Sequence, residues 1–156
     1  QLGDYARHLT TTAKVKHPWL FVHDEIGFNY RMPNINAALG CAHLEALPGA
    51  IEKKRQLVNL YQIAFQGVEG VKVFTEPTFA KSNYWLNVLL LDDEFSQERD
   101  SLLDLLNARG IMVRPLWTLM HELEIYKHCP KMDDLLVAQS LSRRLINVPS
   151  SPHLVV

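Results

Sequence analysis

The chain has only two cysteines, Cys41 and Cys129, and they stand far apart. So few thiols cannot staple a small secreted scaffold or form a Cys-x-x-Cys half of a metal site, and a reducing, cytoplasmic setting fits. Surplus charge is equally scarce. With 16 Lys and Arg against 17 Asp and Glu, the formal net charge is -1, so no broad field draws the chain to nucleic acid or to an acidic membrane. No apolar run approaches the ~18 residues that cross a bilayer, and the first residues hold no signal-peptide core. Neither nucleic acid nor membrane is expected as a partner.

Complete catalytic motifs are missing too. There is no Gly-x-Ser-x-Gly elbow, no Gly-x-x-x-x-Gly-Lys-Ser/Thr phosphate loop and no Gly-x-Gly-x-x-Gly turn. His17 and His23, like His121 and His128, lack the i,i+4 spacing of helical metal ligands, and neither Asp24 nor Cys129 completes a set. No metal is expected, and an autonomous enzyme is hard to assemble from these residues.

What is present suffices for one core: 156 residues, 47% of them hydrophobic. Residues 1–26 show no sustained periodicity and read as a long connection, with Trp19, Leu20, Phe21 and Val22 expected to anchor it by burial. Pro33 and the capping Asn34 open a helix from Ile35 to about Leu47, poor in side-chain bulk and so expected to be buried, ended by Pro48-Gly49. His43 is expected at its edge with a satisfied ring. A second, amphipathic helix runs from about Ala50 to Gln66, with Ile51, Leu57, Val58, Tyr61, Ala64 and Phe65 inward and Lys53-Lys54-Arg55 on a solvated face.

Strands follow at Val71–Phe74 and Tyr84–Leu91, then a helix from Gln97 to Arg109 capped by Ser96, with Leu102, Leu103, Leu105 and Leu106 toward the sheet and Gly110 at its C-terminal stop. Ile111–Val113 reads as a returning strand. Met132 to about Leu145 reads as a last helix, with Leu135, Leu136, Ala138, Leu141 and Leu145 inward and Arg143 and Arg144 outward. The order predicts an α+β fold, helices covering a small, mainly antiparallel sheet.

The chemistry concentrates in Gly27-Phe28-Asn29-Tyr30-Arg31-Met32-Pro33-Asn34, which runs into Ile35-Asn36-Ala37-Ala38-Leu39-Gly40. Arg31 offers a planar fork of donors suited to phosphate or carboxylate, and Asn29 and Tyr30 add neutral donors beside it. Taken alone, the same residues also read as a surface arginine and a capping asparagine.

The whole run resembles the Gly-(Phe/Tyr)-Asn-Tyr-Arg-(Met/Leu) signature of the DegT/StrS-type nucleotide-sugar aminotransferases. The resemblance extends from Ala6-Arg7-His8 through Arg114-Pro115-Leu116-Trp117 and Met120-His121 to Asn147-Val148-Pro149-Ser150-Ser151. It implies the C-terminal portion of a fold-type-I aminotransferase, α/β overall in the parent. Residues 1–33 would be the last part of the large domain's active-site loop, 34–152 the linker helices and small C-terminal domain, and 153–156 an end that stops early.

The same resemblance implies pyridoxal phosphate as cofactor, held by a lysine upstream of these residues. No catalytic residue is therefore assigned here, and none of Lys14, Lys16, Lys53, Lys54, Lys72, Lys81, Lys127 and Lys131 takes that role. Asn29 would reach across a homodimer interface to the partner's cofactor phosphate, with Tyr30 and Arg31 shaping the same pocket. His17, Trp19, Phe28, Arg114 and His121 would contact the substrate. His17-Pro18-Trp19 and His23-Asp24-Glu25 resemble the branch acting on nucleotide-linked 4-keto-6-deoxy sugars, often N-acetylated, with glutamate as amino donor. Alternatives from the same residues are the pyridoxamine-phosphate-dependent sugar dehydratases of the family, and a binding or assembly domain without cofactor.

Overall fold

A computed structural model describes residues 1–155. They divide into two compact units, Gln1–Ala46 and Leu47 onwards. The second unit holds a four-stranded sheet formed by β1 (Val71–Val73), β2 (Asn87–Leu91), β3 (Arg114–Pro115) and β4 (Leu145–Val148). Its order is β1-β2-β4-β3 and every pairing is antiparallel, as the composition of the segments predicts.

Alternation on β2 sends Asn87, Leu89 and Leu91 to the interior, where Leu89 and Leu91 meet Ile146 and Val148 of β4. Helix α3 (Arg99–Ala108) adds Leu103, and Val113 completes the buried cluster, with Tyr61, Phe65, Leu102 and Leu106 packed against it. Fully burying each large apolar side chain is worth about 1.5–3 kcal/mol, so these few residues carry most of this unit's stability.

Several boundaries differ from the sequence reading, each for a local reason. Pro48 does not end a helix: α2 runs from Asn34 to Ala64 with Pro48 inside it. The ring removes the N–H that the carbonyl of residue 44 would receive, and Leu44 is exposed enough (68%) for water to replace it. The Ser96 cap is absent, because Asp93–Glu98 form a 3₁₀ turn and α3 begins only at Arg99; Leu105 on it points to solvent. Ile111–Val113 is not a strand, because the Asn107 side chain takes both backbone groups of Val113, accepting its N–H at 3.3 Å and donating to its carbonyl at 3.1 Å.

The last helix, α4, is Leu136–Arg144, shorter than read, since Asp133 and Leu135 adopt φ of 60° and 59° and break its first turn. Leu136 is exposed, and Arg144 turns inward to the carbonyl of Leu91 at 3.1 Å. β4 follows that helix with no intervening turn and is buried at all four positions.

The first unit contains a helix where a loop was expected. Helix α1 spans Leu2–Thr10, with Asp4 in its first turn and Arg7 and His8 in its last. Its apolar residues Leu2, Tyr5, Ala6 and Leu9 do follow helical spacing, over a stretch too short to stand out. Among residues 1–46 only Ala13 is buried. Trp19 (73%) and Phe21 (79%) are exposed rather than anchoring, and the small-residue stretch of α2 lies open, with His43 also exposed. This unit is held by hydrogen bonds, not by an apolar core.

Candidate functional site

The Gly27–Arg31 segment is placed by backbone pairing with the chain just after α1. Phe28 N–H donates to the Leu9 carbonyl at 2.7 Å, Thr12 N–H to the Phe28 carbonyl at 3.1 Å and Tyr30 N–H to the Thr10 carbonyl at 3.0 Å. Asn29 lies opposite Thr11 in an antiparallel bridge. Thr12 and Ala13 turn the chain in the left-handed region, at φ 71° and 49°. The two strands approach so closely at Gly27 that a Cβ there would lie 2.4 Å from the Thr12 carbonyl carbon. Glycine is required at this position by contact, not by backbone conformation.

His23-Asp24-Glu25 clamp this arrangement. The Glu25 carboxylate accepts from the Tyr5 hydroxyl at 2.7 Å, Asp24 Oδ1 lies 2.6 Å from His8 Nε2, and His23 Nδ1 lies 2.6 Å from the Thr12 carbonyl. The His8 hydrogen bond holds the Asp24 carboxyl below its ordinary range, and the Glu25 hydrogen bond raises the Tyr5 phenol above its own. All three side chains are thus engaged with residues 5–12 and serve the fold of the segment.

The residues expected to meet a ligand are the ones left facing water. Phe28 and Tyr30, two apart, stack at 5.6 Å with an interplanar angle of 16°. Arg31 lines a cleft of about 500 Å³ together with Lys14, Lys16, His17 and Thr11. His17 is partly committed to its own turn: Nδ1 accepts the Leu20 N–H at 3.0 Å, and its ring meets Trp19 edge-on at 4.7 Å. A guanidinium with two ammonium groups on one open cleft is a donor set that suits an anion such as phosphate. It fits the phosphate end of a cofactor.

Arg114 and His121 lie in the second unit, and the structure does not bring them into one cleft. Arg114, on the edge strand β3, is exposed and turns its Nη1 to the Val113 carbonyl at 3.2 Å. His121 lines a separate cleft of about 290 Å³ with Met120, Tyr126, Cys129 and Met132, its Nε2 3.4 Å from Gln139 Nε2. Among the described residues no group of three or more His, Cys, Asp or Glu is placed to hold a metal.

Lys54 and Arg55, expected on a solvated face, are instead half-buried organisers of this unit. Lys54 Nζ donates to the carbonyls of Ser150 (2.7 Å), Trp85 (3.1 Å) and Tyr84 (3.3 Å), and burial lowers its pKa. Arg55 pairs with Glu76, whose carboxylate also accepts the Ser82 N–H; the pairing holds Glu76 below and Arg55 above their ordinary values. The signal was in the helical phase, since Lys54 shares a stripe with Val58, Tyr61 and Phe65.

Residues 1–155 match the DegT/DnrJ/EryC1/StrS aminotransferase family. The chain belongs to this family. Its members depend on pyridoxal phosphate. Among relatives in it, GDP-perosamine synthase of Vibrio cholerae is 36% identical over 132 residues, which are 85% of this chain and 36% of that protein. A dTDP-4-amino-4,6-dideoxy-D-glucose transaminase of Escherichia coli is 29% identical over 126 residues, 79% of this chain and 34% of its own length. The chain therefore spans about a third of the length of these relatives.

Solved structures agree on the fold. Helicobacter pylori PseC, an aminotransferase involved in the biosynthesis of pseudoaminic acid, superposes with a TM-score of 0.81 at 20% identity, over 95% of this chain and 40% of its own. A DegT DnrJ EryC1 StrS aminotransferase from Brucella abortus gives 0.74 at 26% identity, over 98% and 39%. The α+β architecture, with its small antiparallel sheet, is that of fold-type-I aminotransferases.

Proposed function

We propose that the chain is the C-terminal part of a pyridoxal-phosphate-dependent aminotransferase that aminates the C4 ketone of a nucleotide-linked 4-keto-6-deoxy sugar, with glutamate as amino donor. The observation that carries the reading is Arg31 on one cleft with Lys14, Lys16 and His17, inside the segment built on the family motif. The Escherichia coli relative, a dTDP-4-amino-4,6-dideoxy-D-glucose transaminase, supports the choice of substrate.

When bound, pyridoxal phosphate would supply the electron sink that amino-group transfer from donor to ketone needs. The part of this chain is to hold and orient. Arg31 supplies a charged fork to the phosphate, and Asn29 and Tyr30 supply neutral donors, while His17, Trp19, Phe28, Arg114 and His121 contact the sugar nucleotide. Proton transfer belongs to a lysine outside these residues. Residues 1–33 act as an active-site loop and 34–152 as linker helices and small domain.

A homodimer with shared active sites, working in the cytoplasm, completes the reading. It is supported by the first unit itself, in which Ala13 alone is buried among residues 1–46, so that its aromatic surface needs cover from other protein. Asn29→Ala, made in the complete enzyme, tests the phosphate role: loss of one hydrogen bond to a charged group weakens cofactor retention by about 1–3 kcal/mol with little change in folding. Unchanged cofactor affinity in an absorbance titration of a verified dimer counts against it. Borohydride trapping of the 156-residue chain with pyridoxal phosphate should label no single lysine stoichiometrically, and such labelling would sink the assignment of that lysine elsewhere.

A further inference from the structure

Trp85 and Trp117, in the second unit, stack on each other with ring centroids 6.1 Å apart and planes 18° from parallel. Both remain largely in water, at 66% and 62% exposure. An exposed indole pair of this kind is costly to hold in one geometry, yet the backbone beneath Trp85 is held by many contacts. Tyr84 sits in the left-handed region at φ 46°, strained for a bulky residue, and is nevertheless buried. Its N–H donates to Ser82 Oγ at 2.9 Å, its hydroxyl accepts the Glu76 N–H at 3.2 Å, and Lys54 grips the carbonyls of Tyr84 and Trp85. Trp85 N–H donates to Asn83 Oδ1 at 3.0 Å. On the other side the buried Asn147 donates to the Pro115 carbonyl at 3.0 Å, fixing the strand end from which Trp117 projects.

The surroundings of Trp117 say what the platform suits. It lines a cleft of about 320 Å³ with Pro115 and Leu116 and with polar residues, among them Thr118, Gln139, Ser142 and Arg143. Arg99 lines it too, but its guanidinium is engaged by Asp100 and by the Ser142 carbonyl. Arg143 is exposed and makes no ion pair among the described residues, and the one carboxylate of the lining, Glu122, lies 4.0 Å from His121 Nε2. An apolar helix of a protein partner would leave these polar walls unsatisfied. A flat aromatic ring carrying negative charge meets both halves of the site. A centroid separation of 6.1 Å admits no third ring between the indoles, so an incoming ring stacks on an outer face.

We propose that the Trp85–Trp117 pair is a stacking platform for the base of a nucleoside diphosphate, with Arg143 of the adjoining cleft meeting its phosphates. The choice of a nucleotide rests on the nucleotide-sugar aminotransferase reading, and the platform deepens it by assigning the base to these two tryptophans. With 5-fluorotryptophan in the complete enzyme, the Trp85 and Trp117 signals, assigned by the loss of each in its Phe variant, read the pair directly by NMR. With GDP, UDP or dTDP the Trp85 and Trp117 signals shift saturably. Read at the Trp85 signal, Trp117→Ala weakens binding about tenfold, as loss of one base–aromatic stack requires, whereas Trp117→Phe costs no more than about threefold. Arg143→Gln removes the preference for a diphosphate over the bare nucleoside while leaving nucleoside binding unchanged. Signals that move with none of the three diphosphates, or a Trp117→Ala chain that binds them as the parent does, overturn the platform. Because no cofactor or amino donor is present in this titration, its failure is distinguishable from failure of the aminotransferase reading, which cofactor retention in the complete enzyme tests separately.

Discussion

Replacing Gly27 by alanine should loosen the motif segment without disturbing the sheet. The added Cβ would lie 2.4 Å from the Thr12 carbonyl carbon, 2.5 Å from Ala13 N and 2.9 Å from Thr12 Cα. All three are backbone atoms, so no rotamer change relieves the contact and the two chain segments must part. The bonds that straddle this point are Thr12 N–H to the Phe28 carbonyl (3.1 Å) and Asp24 N–H to the Ala13 carbonyl (3.3 Å). Losing both costs about 1–3 kcal/mol, and the lower entropy of the unfolded alanine chain returns about 0.4–1 kcal/mol. A net loss of about 1–2 kcal/mol corresponds to roughly 5–30-fold faster opening of this region. Amide hydrogen exchange resolves it: Thr12, Phe28 and Tyr30 should exchange faster by that factor, and the β2 and β4 amides should not change. Gly40→Ala is the control, since nothing lies within 4 Å of a Cβ there and helix propensity gains up to about 1 kcal/mol. A Gly27→Ala chain with native exchange at Thr12 and Phe28 would refute the close-approach argument and, with it, the account of how Arg31 is presented.

Three further outcomes follow from the same structure. The clamp on the first unit should fail at both ends of the pH scale. Asp24 has a depressed folded pKa, so its contribution is present above the ordinary carboxylate range and lost as pH falls through its folded value; Tyr5 has a raised one, so its contribution is lost as pH climbs through it. Exchange rates across a pH series should show both limbs, with Asp24→Asn flattening the acid one and Tyr5→Phe the alkaline one. Lys54→Met leaves the Ser150, Trp85 and Tyr84 carbonyls without their common donor and should lower thermal stability by about 1–3 kcal/mol; an unchanged melting temperature would show that water replaces the ammonium at no cost. The isolated chain should self-associate and bind a hydrophobic dye, since Ile35 (79%), Leu39 (61%), Leu44 (68%), Trp19 and Phe21 lie in water and each large apolar side chain left there forgoes about 1.5–3 kcal/mol of burial. A clean monomer in the ultracentrifuge that binds no dye would contradict this.

Two of the four strands were legible, β1 and β2, because they carry the signals that pairing demands, whereas β3 lies at Arg114–Pro115, beyond the expected Ile111–Val113. Val71–Val73 alternates, Asn87–Leu91 carries the apolar run of a central strand, and Gly110 stands at the left-handed stop after α3, at φ 78°. β4 was not legible, although it is the strand that joins β2 to β3. Its Leu145-Ile146-Asn147-Val148 continues the apolar phase of α4 with no glycine or proline between, and periodicity cannot separate a short buried strand from a helix end. Pro48 misled in the opposite direction. Proline removes one hydrogen bond from a helix and crowds the preceding turn, and here the helix continues because exposed Leu44 leaves water room to replace the lost donor.

The motif itself was found by the order of its residues, and yet sequence could not say which of them hold the segment and which face a ligand. His23, Asp24 and Glu25 have the side chains of a binding or catalytic cluster, but each is engaged by residues 5–12. Tyr30 and Arg31 carry no more chemistry than these three and lie open to solvent. The division follows from where the backbone crosses itself. At Gly27 the segments touch, upstream side chains fall within reach of α1 and of Thr12 just after it, and downstream ones alternate away from the bridge, Phe28 onto Tyr30 and Arg31 into the cleft with Lys14 and Lys16. A single glycine without a side chain thus separates the structural half of the motif from the half left open to solvent. The contact at residue 27 and the cationic cleft are therefore two consequences of one crossing.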